Sequence, residues 1–406
     1  MQSRLQNYKY RALFQYSYLL LLAAFIGYRA FFNTMLQNAM GIKSSNRLLN
    51  IWLILAILYI VIKEYCLRCY TAKDMLIAFI LSAICIVSYY HCWTKWLEIF
   101  PFLVIAAKDV PFEKIAKTFL MVISGMLIAG YLSSRLGFST YLVYQRILAD
   151  GSVELRRAFG TTYPTTFSEF IFFLSAAALY IRRRKATFIG ASIFVLIGVL
   201  LNRYCDAKTD AVCLILLAIL TLVLTLQRLL PDGFAVITHK LSVLFIPIFP
   251  LFALVMIVLT VLYTPSSTVM ERANRYLSTR LEIGKKGYDL YGLSLFGTKV
   301  KYHMTGGDAS RIQDENYLNF DCSYMMVLIN FGLLVFVVLM GLLVFSSYRA
   351  WKVNDLALLG IFAVIAVECI MENRLMQPQY NIFCLTFFAT LKTDTGQEYE
   401  VINGMK

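Results

Sequence analysis

Between Thr264 and Cys322 an otherwise apolar chain turns polar. Eight of its 38 lysines and arginines lie there: Arg272, Arg275, Arg280, Lys285, Lys286, Lys299, Lys301 and Arg311. Such side chains bind anions, and arginine presents a planar, permanently charged fork that matches phosphate oxygens. The segment closes on Asn319-Phe320-Asp321-Cys322-Ser323-Tyr324, directly before the chain becomes apolar again. A carboxylate at the head of a helix entering lipid is partly desolvated, which raises its pKa toward that of a useful general base. On residue type alone it equally serves as the acid that complements its helix dipole.

A second arginine-bearing segment runs Leu155-Arg156-Arg157-Ala158-Phe159-Gly160-Thr161-Thr162-Tyr163-Pro164-Thr165-Thr166-Phe167. Thr165 or Thr166 can cap the helix that follows, and Glu169 suits its first turn. Free amides and the dipole at that helix start, flanked by two arginines, favour an anion. The plain alternative is a capped helix entry with two snorkelling arginines. Two short connections add further charge. Asn202 to Asp210 carries Arg203, Asp206, Lys208 and Asp210, and Cys369 to Gln377 carries Glu372 and Arg374. Each reads either as a self-neutralising turn, with Glu372 paired locally to Arg374, or as support for a neighbouring site. Within the large segment, Tyr276, Leu277, Arg280 and Leu281 have the spacing of a short amphipathic helix.

Metal chemistry has little to build on. There are three histidines, no H-E-x-x-H, and one C-x-x-C (Cys66 and Cys69) with no second ligand pair at zinc spacing. No protein-held metal or organic cofactor is expected.

The elements that must position these residues are membrane helices. Hydrophobic residues make up 59% of the 406 and charged ones 15%, against about a quarter charged in a soluble domain. Apolar runs of spanning length, about 17–25 residues, fall near 12–32, 48–62, 74–92, 94–107, 115–134, 166–181, 186–202, 210–229, 241–263, 323–347, 355–371 and 377–391. The fold expected is therefore all-α, a single polytopic bundle over residues 1–406 with about twelve transmembrane helices. Residues 135–165 and 264–322 form its two long loops, the larger between spans nine and ten. The first run, from Leu13, has no small-residue cleavage site and reads as a helix rather than a signal peptide. Connections on the side of the N terminus hold nineteen Lys and Arg (residues 1–11, 63–73, 108–117, 182–185, 228–240, 349–352 and 392–406). The short connections opposite hold six: Lys43, Arg47, Lys95, Arg203, Lys208 and Arg374. By the positive-inside rule both termini are expected in the cytoplasm and both long loops outside. Arg29 is the clearest charge inside an apolar run.

Taken in order, these segments resemble the Wzy-type repeat-unit polymerases of bacterial surface polysaccharides, within the O-antigen polymerase and ligase superfamily, in particular those of Gram-positive capsule and exopolysaccharide loci. The resemblance rests on R-x-F-G-T-T-Y-P-T at Arg157 to Thr165, S-x-R-L-x-x-G at Ser278 to Gly284, Y-G-x-x-L-F-G at Tyr291 to Gly297, and D-x-S-Y then G at Asp321 to Tyr324 and Gly332. It covers most of the chain, although the first five spans contribute only hydropathy.

The resemblance implies a GT-C-like bundle in the bacterial cytoplasmic membrane. It implies a glycosyltransferase that moves a growing glycan from undecaprenyl pyrophosphate to a new lipid-linked repeat unit, inverting the anomeric centre without a metal. Its partners would be the lipid-linked donor and acceptor, the bilayer, and a chain-length regulator and flippase; no nucleic acid is implied. The family's paired pyrophosphate-binding arginines carry over onto Arg157 and Arg280, with Arg156 the rival for the first place. Asp321 stands where related ligases carry a histidine that activates the acceptor hydroxyl. Tyr163, Arg203, Lys208, Tyr324, Glu372 and Arg374 are the further substrate-binding candidates. Asp210, Asp314, Glu315 and Glu372 are rival bases. Two other readings compete, a ligase passing the glycan to another acceptor and a flippase or transporter of lipid-linked sugars; the latter calls for internal repeats and mid-membrane charges.

Overall fold

The structure, a computed structural model, describes residues 2–147, 153–303, 317–392 and 398–399. The helices run α1 (Gln2–Phe31), α2 (Leu36–Met40), α3 (Asn46–Leu67), α4 (Ala72–Cys92), α5 (Lys95–Ala106), α6 (Phe112–Arg135), α7 (Pro164–Arg182), α8 (Phe188–Cys205), α9 (Lys208–Leu229), α10 (Asp232–Ser242), α11 (Ile248–Leu262), α12 (Thr268–Tyr276), α13 (Arg280–Tyr291), α14 (Ser323–Met326), α15 (Leu333–Lys352) and α16 (Leu356–Met371). One hairpin, β1 (Val143–Ile147) with β2 (Val153–Arg157), lies between α6 and α7.

Seven of the described helices are long and apolar enough to cross a membrane: α3, α4, α6, α7 with its extension to Lys185, α8, α9 and α15. The pair α10 and α11, bent by 41°, makes an eighth if counted as one span. Ile51 and Leu58 on α3 and Ile193, Leu196 and Val199 on α8 are exposed, as befits helices whose solvent is hydrocarbon. This is a helical membrane protein.

Several of the twelve expected spans take another form. The run 94–107 becomes the 12-residue α5, with Pro101 inside it and Leu97 to Ala106 almost entirely buried; it is a core helix. The run 323–347 is broken. After α14, residues Val327–Phe331 form a π turn, and Gly332 (φ 92°) separates it from α15. The Tyr291–Gly297 motif fills that break. Leu333 N donates to Ser294 O (2.9 Å), Leu334 N to Leu295 O (3.1 Å) and Thr298 N to Asn330 O (3.2 Å). Gly297 (φ 87°) and Gly332 meet backbone to backbone, where any side chain would collide with the facing main chain. Irregular backbone at this depth survives because protein, not lipid, surrounds it.

The run 377–391 is not a helix. It turns through Pro378, forms one short 3-10 helix, Ile382–Phe387, and is buried from Pro378 to Ala389. Arg349 caps its free carbonyls, with Nη1 on Thr386 O (2.7 Å) and Phe387 O (2.9 Å) and Nη2 on Ala389 O (2.8 Å). Hydropathy alone cannot separate such a core segment from a span.

Candidate functional site

The site forms where the end of α16 and its following strap, residues 372–375, meet the start of α13 and the residues leading into α14. Two consecutive left-handed residues, Ser278 (φ 49°) and Thr279 (φ 67°), turn the chain sharply between α12 and α13. Asn274 holds that corner through Glu282 N (3.2 Å) and Glu282 Oε2 (3.3 Å). Glycines let α13 lie close: Gly284 sits against Thr260 of α11, and Gly287 against the Phe320 ring.

Arg280, at the head of α13, is thereby fixed. Its Nε and Nη2 donate to Met371 O (3.3 and 3.2 Å) and its Nη1 to Ser278 O (2.8 Å). Nη2 also lies 3.2 Å from Asp321 Oδ2. Asn319 Nδ2 donates to the other Asp321 oxygen at 2.7 Å. The strap clasps this corner from the far side. Asn373 Nδ2 donates to Phe320 O (2.7 Å), Ser323 Oγ to Glu372 O (2.6 Å), and Leu375 N to Ser323 Oγ (3.3 Å). Arg280, Ile283, Gly284, Asn319, Phe320, Asp321, Cys322 and Met325 line a surface crease too tight to enclose a water.

Burial pushes the Asp321 carboxyl above the ordinary aspartate range, against the pull of Arg280 and Arg374; Glu169 adds to the rise. Burial likewise raises Glu372 well above the usual glutamate value, with Glu169 reinforcing and Arg280 opposing. For Arg374 burial acts the other way, but the Glu169 carboxylate beside it outweighs burial and holds the guanidinium firmly charged.

Behind this corner lies a buried layer of acids. Arg374 is gripped side-on by Glu169 of α7, Nε to Oε2 at 2.7 Å and Nη2 to Oε1 at 3.2 Å, and its guanidinium rests 4.5 Å from the Tyr380 ring centre. Glu169 and Glu368 are fully buried and Asp210 nearly so. Ser168 Oγ donates to Asp210 Oδ2 (2.5 Å), while Asp210 Oδ1 and Glu368 Oε1 have no hydrogen-bond partner. Among the described residues, no group of three or more His, Cys, Asp and Glu is arranged to hold a metal ion.

The hairpin arginines stand elsewhere. Arg156 is tied to the α8–α9 turn, its Nε on Cys205 O (3.0 Å) and 3.9 Å from Asp206 Oδ2. Arg157 is exposed, with its guanidinium 5.3 Å from the Tyr204 ring centre. Tyr163 stacks on Tyr144 at 5.5 Å. Lys208 reaches Asp206 (3.8 Å), and Arg203 is exposed.

Of the residues singled out in the sequence, Arg280, Asp321, Glu372 and Arg374 come together. Arg157, Arg156, Tyr163, Arg203 and Lys208 gather instead on the hairpin and the α8–α9 turn. Tyr324 is fully buried, with its hydroxyl on Ala366 O (2.7 Å); it packs the bundle and has no access to a substrate. Arg374 takes Glu169, not Glu372, as its partner. Asp210 is sealed from solvent, which removes it as a rival surface base. No threonine side chain caps α7, which starts at Pro164 after Tyr163, the position where proline costs no hydrogen bond. Arg311, Asp314 and Glu315 lie outside the described residues. Glu368 went unremarked in the sequence although it offered a signal, an acid in the middle of an apolar run. Compared with known protein families, curated proteins and solved structures, the chain matches none.

Proposed function

We propose that the protein is a repeat-unit polymerase of a surface polysaccharide, acting outside the cytoplasmic membrane on lipid-linked glycans. One observation supports this above the others: a carboxylate and an arginine, Asp321 and Arg280, share a partly exposed corner at the mouth of a buried, charge-lined helix junction. In this reading the acceptor sugar hydroxyl attacks the anomeric carbon of the donor glycan. The bond from that carbon to the pyrophosphate oxygen breaks, and the hydroxyl proton passes to Asp321. A leaving pyrophosphate needs fixed positive charge as its own charge develops. Arg280 supplies it at the corner, Arg374 with its Glu169 partner stands in the layer behind, and Arg157 adds charge on the hairpin. One displacement inverts the anomeric centre, so a second carboxylate at glycosidase spacing has no task.

The test is a purified-protein assay with lipid-linked repeat unit, read as a ladder of polymer lengths. Wild type should build the ladder and Asp321→Asn should not. Topology gives an independent check: a reporter fused near Ala186 should signal cytoplasm and one near Gly306 the outer face. A cytoplasmic signal at Gly306 would sink the proposal, because the glycans face outward.

A second reading is favoured by the buried acids. Glu169, Asp210 and Glu368 come from three different helices, and ionisable groups in such positions mark proton or ion paths in transporters. Movement of lipid-linked sugar across proteoliposomes, with no polymer formed, would select it.

A further inference from the structure

Arg280 differs from an ordinary anion-binding arginine in that protein atoms already engage its donors. Two backbone carbonyls, Met371 O and Ser278 O, hold the guanidinium in place. Among the described residues the remaining contact is Asp321 Oδ2, 3.2 Å from Nη2. The carbonyls are neutral, Met371 O at the end of α16 and Ser278 O in the exposed α12–α13 corner, so an arriving anion gains less by taking their place than by taking that of the carboxylate. The carboxylate is different. It is charged, its side chain rotates, and Asn319 Nδ2 on its other oxygen (2.7 Å) gives it a partner to keep after release. An arginine neutralised by a carboxylate attracts phosphate weakly until that carboxylate moves aside.

We infer that Asp321 masks Arg280 in the resting protein, and that a pyrophosphate group binds Arg280 by displacing the carboxylate, which frees it to receive a proton. The inference rests on the polymerase reading and deepens it: donor binds first, and the base becomes available only once the donor is seated. A free base beside an empty donor site would have no reaction to serve, whereas displacement ties the two events together through one nitrogen atom.

The sign of one measurement decides it. With purified full-length protein in lipid nanodiscs, inorganic pyrophosphate is titrated by calorimetry against wild type, Asp321→Asn, Glu372→Gln, and Asp321→Asn combined with Arg280→Gln. Asparagine preserves shape and the Asn319 contact but does not compete as an anion, so Asp321→Asn should bind roughly two- to fivefold more tightly, the scale of one partly exposed ion pair. The gain should vanish in the double variant and be smaller in Glu372→Gln, which removes whatever charge the second acid of that corner carries without unmasking Arg280. Unchanged or weaker binding by Asp321→Asn overturns the inference, since it would mean that the carboxylate orients Arg280 for its ligand. So does an equal gain in Glu372→Gln, which would make the effect one of general field. Arg280-dependent binding without a gain leaves the polymerase reading standing and removes only this step. No binding by either wild type or Asp321→Asn removes the donor site itself. If Asp321→Asn is not monodisperse by size exclusion, Asp321→Ala carries the same sign.

Discussion

The hairpin and the strap pocket both carry arginines, and they hold them in opposite ways. On the hairpin, Arg157 lies in solvent with an aromatic face for company, and Arg156 is spent on the α8–α9 turn. In the pocket, Arg280 is fastened by two carbonyls and a carboxylate, and behind it Arg374 is gripped by a fully buried glutamate. A cation fastened by packed backbone is preorganised, and preorganised charge is what stabilises a transition state. A cation in solvent is suited to attract and steer, because its reach is long and its geometry loose. The two regions therefore divide the labour of handling an anion.

The largest effect belongs to Asp321. Removing a positioned base costs about 10²–10⁴ in rate, so Asp321→Asn should polymerise at a small fraction of wild type while retaining donor binding, measured as single-turnover product against bound lipid. Its pH behaviour follows from burial. Catalysis needs the carboxylate, and burial raises its pKa; the acid limb of kcat/KM should therefore fall at a pH above the ordinary aspartate value of about 3.9. Asp321→His should move that limb toward about 6.5. If Asp321→Asn polymerises normally, the pocket is not the reacting centre.

Next comes the pair behind it. Glu169→Ala leaves the Arg374 guanidinium without its carboxylate in a largely buried place, a change that costs about 3–5 kcal/mol. Thermal unfolding of the purified protein should show a large drop in Tm. The same truncation at the hairpin, Arg157→Ala, should leave Tm within a degree or two, because an exposed cation over a ring contributes about 0.5–1 kcal/mol. Equal losses of stability at both sites would erase the distinction between them.

How much of this was legible in the sequence differs between the two regions for the same physical reason. Long apolar runs announced most of the helices, since lipid leaves backbone groups no other partner. The segment 377–391 deceived because apolar composition reports burial, not whether lipid or protein does the burying. Arg280 and Asp321, 41 positions apart in the chain, were legible as types: a basic loop and an acid at its end. Their contact was not, because it depends on the Ser278–Thr279 corner and on Met371 from another helix. The Arg374–Glu169 pair was hidden more deeply. In the sequence Glu169 reads as a first-turn acid and dipole partner, whereas α7 starts at Pro164 and puts it in the second turn, and the residue it meets is 205 positions away. The glycines at 297 and 332 were visible as motif letters, while their reason, two backbones touching inside a broken helix, belongs to the fold.

A third contrast concerns the two arginines that the resemblance pairs as pyrophosphate binders. Arg280→Lys keeps a charge but loses the fork that reaches two carbonyls and a carboxylate together, so it should rescue little polymer. Arg157→Lys, on the hairpin, should retain a substantial part of wild-type polymer if its role is steering. That retention should shrink as salt rises, because screening at about 10 Å in 0.1 M salt weakens exposed charge first. Poor rescue at both positions would place Arg157 on the phosphate as firmly as Arg280.

The smallest effect tests what the Tyr204 ring does for Arg157. A guanidinium 5.3 Å from the ring centre is held by the ring's negative face, which phenylalanine also provides and leucine does not. Tyr204→Phe should therefore leave polymer yield near wild type. Tyr204→Leu frees the guanidinium to wander, a loss of about 0.5–1 kcal/mol, which is roughly two- to fivefold in apparent donor affinity. The effect should appear in KM and not in kcat, because a steering charge acts before the chemical step. A fall in kcat instead would mean that the ring aims Arg157 at the reacting phosphate, and the hairpin would then belong to the same preorganised centre as the pocket.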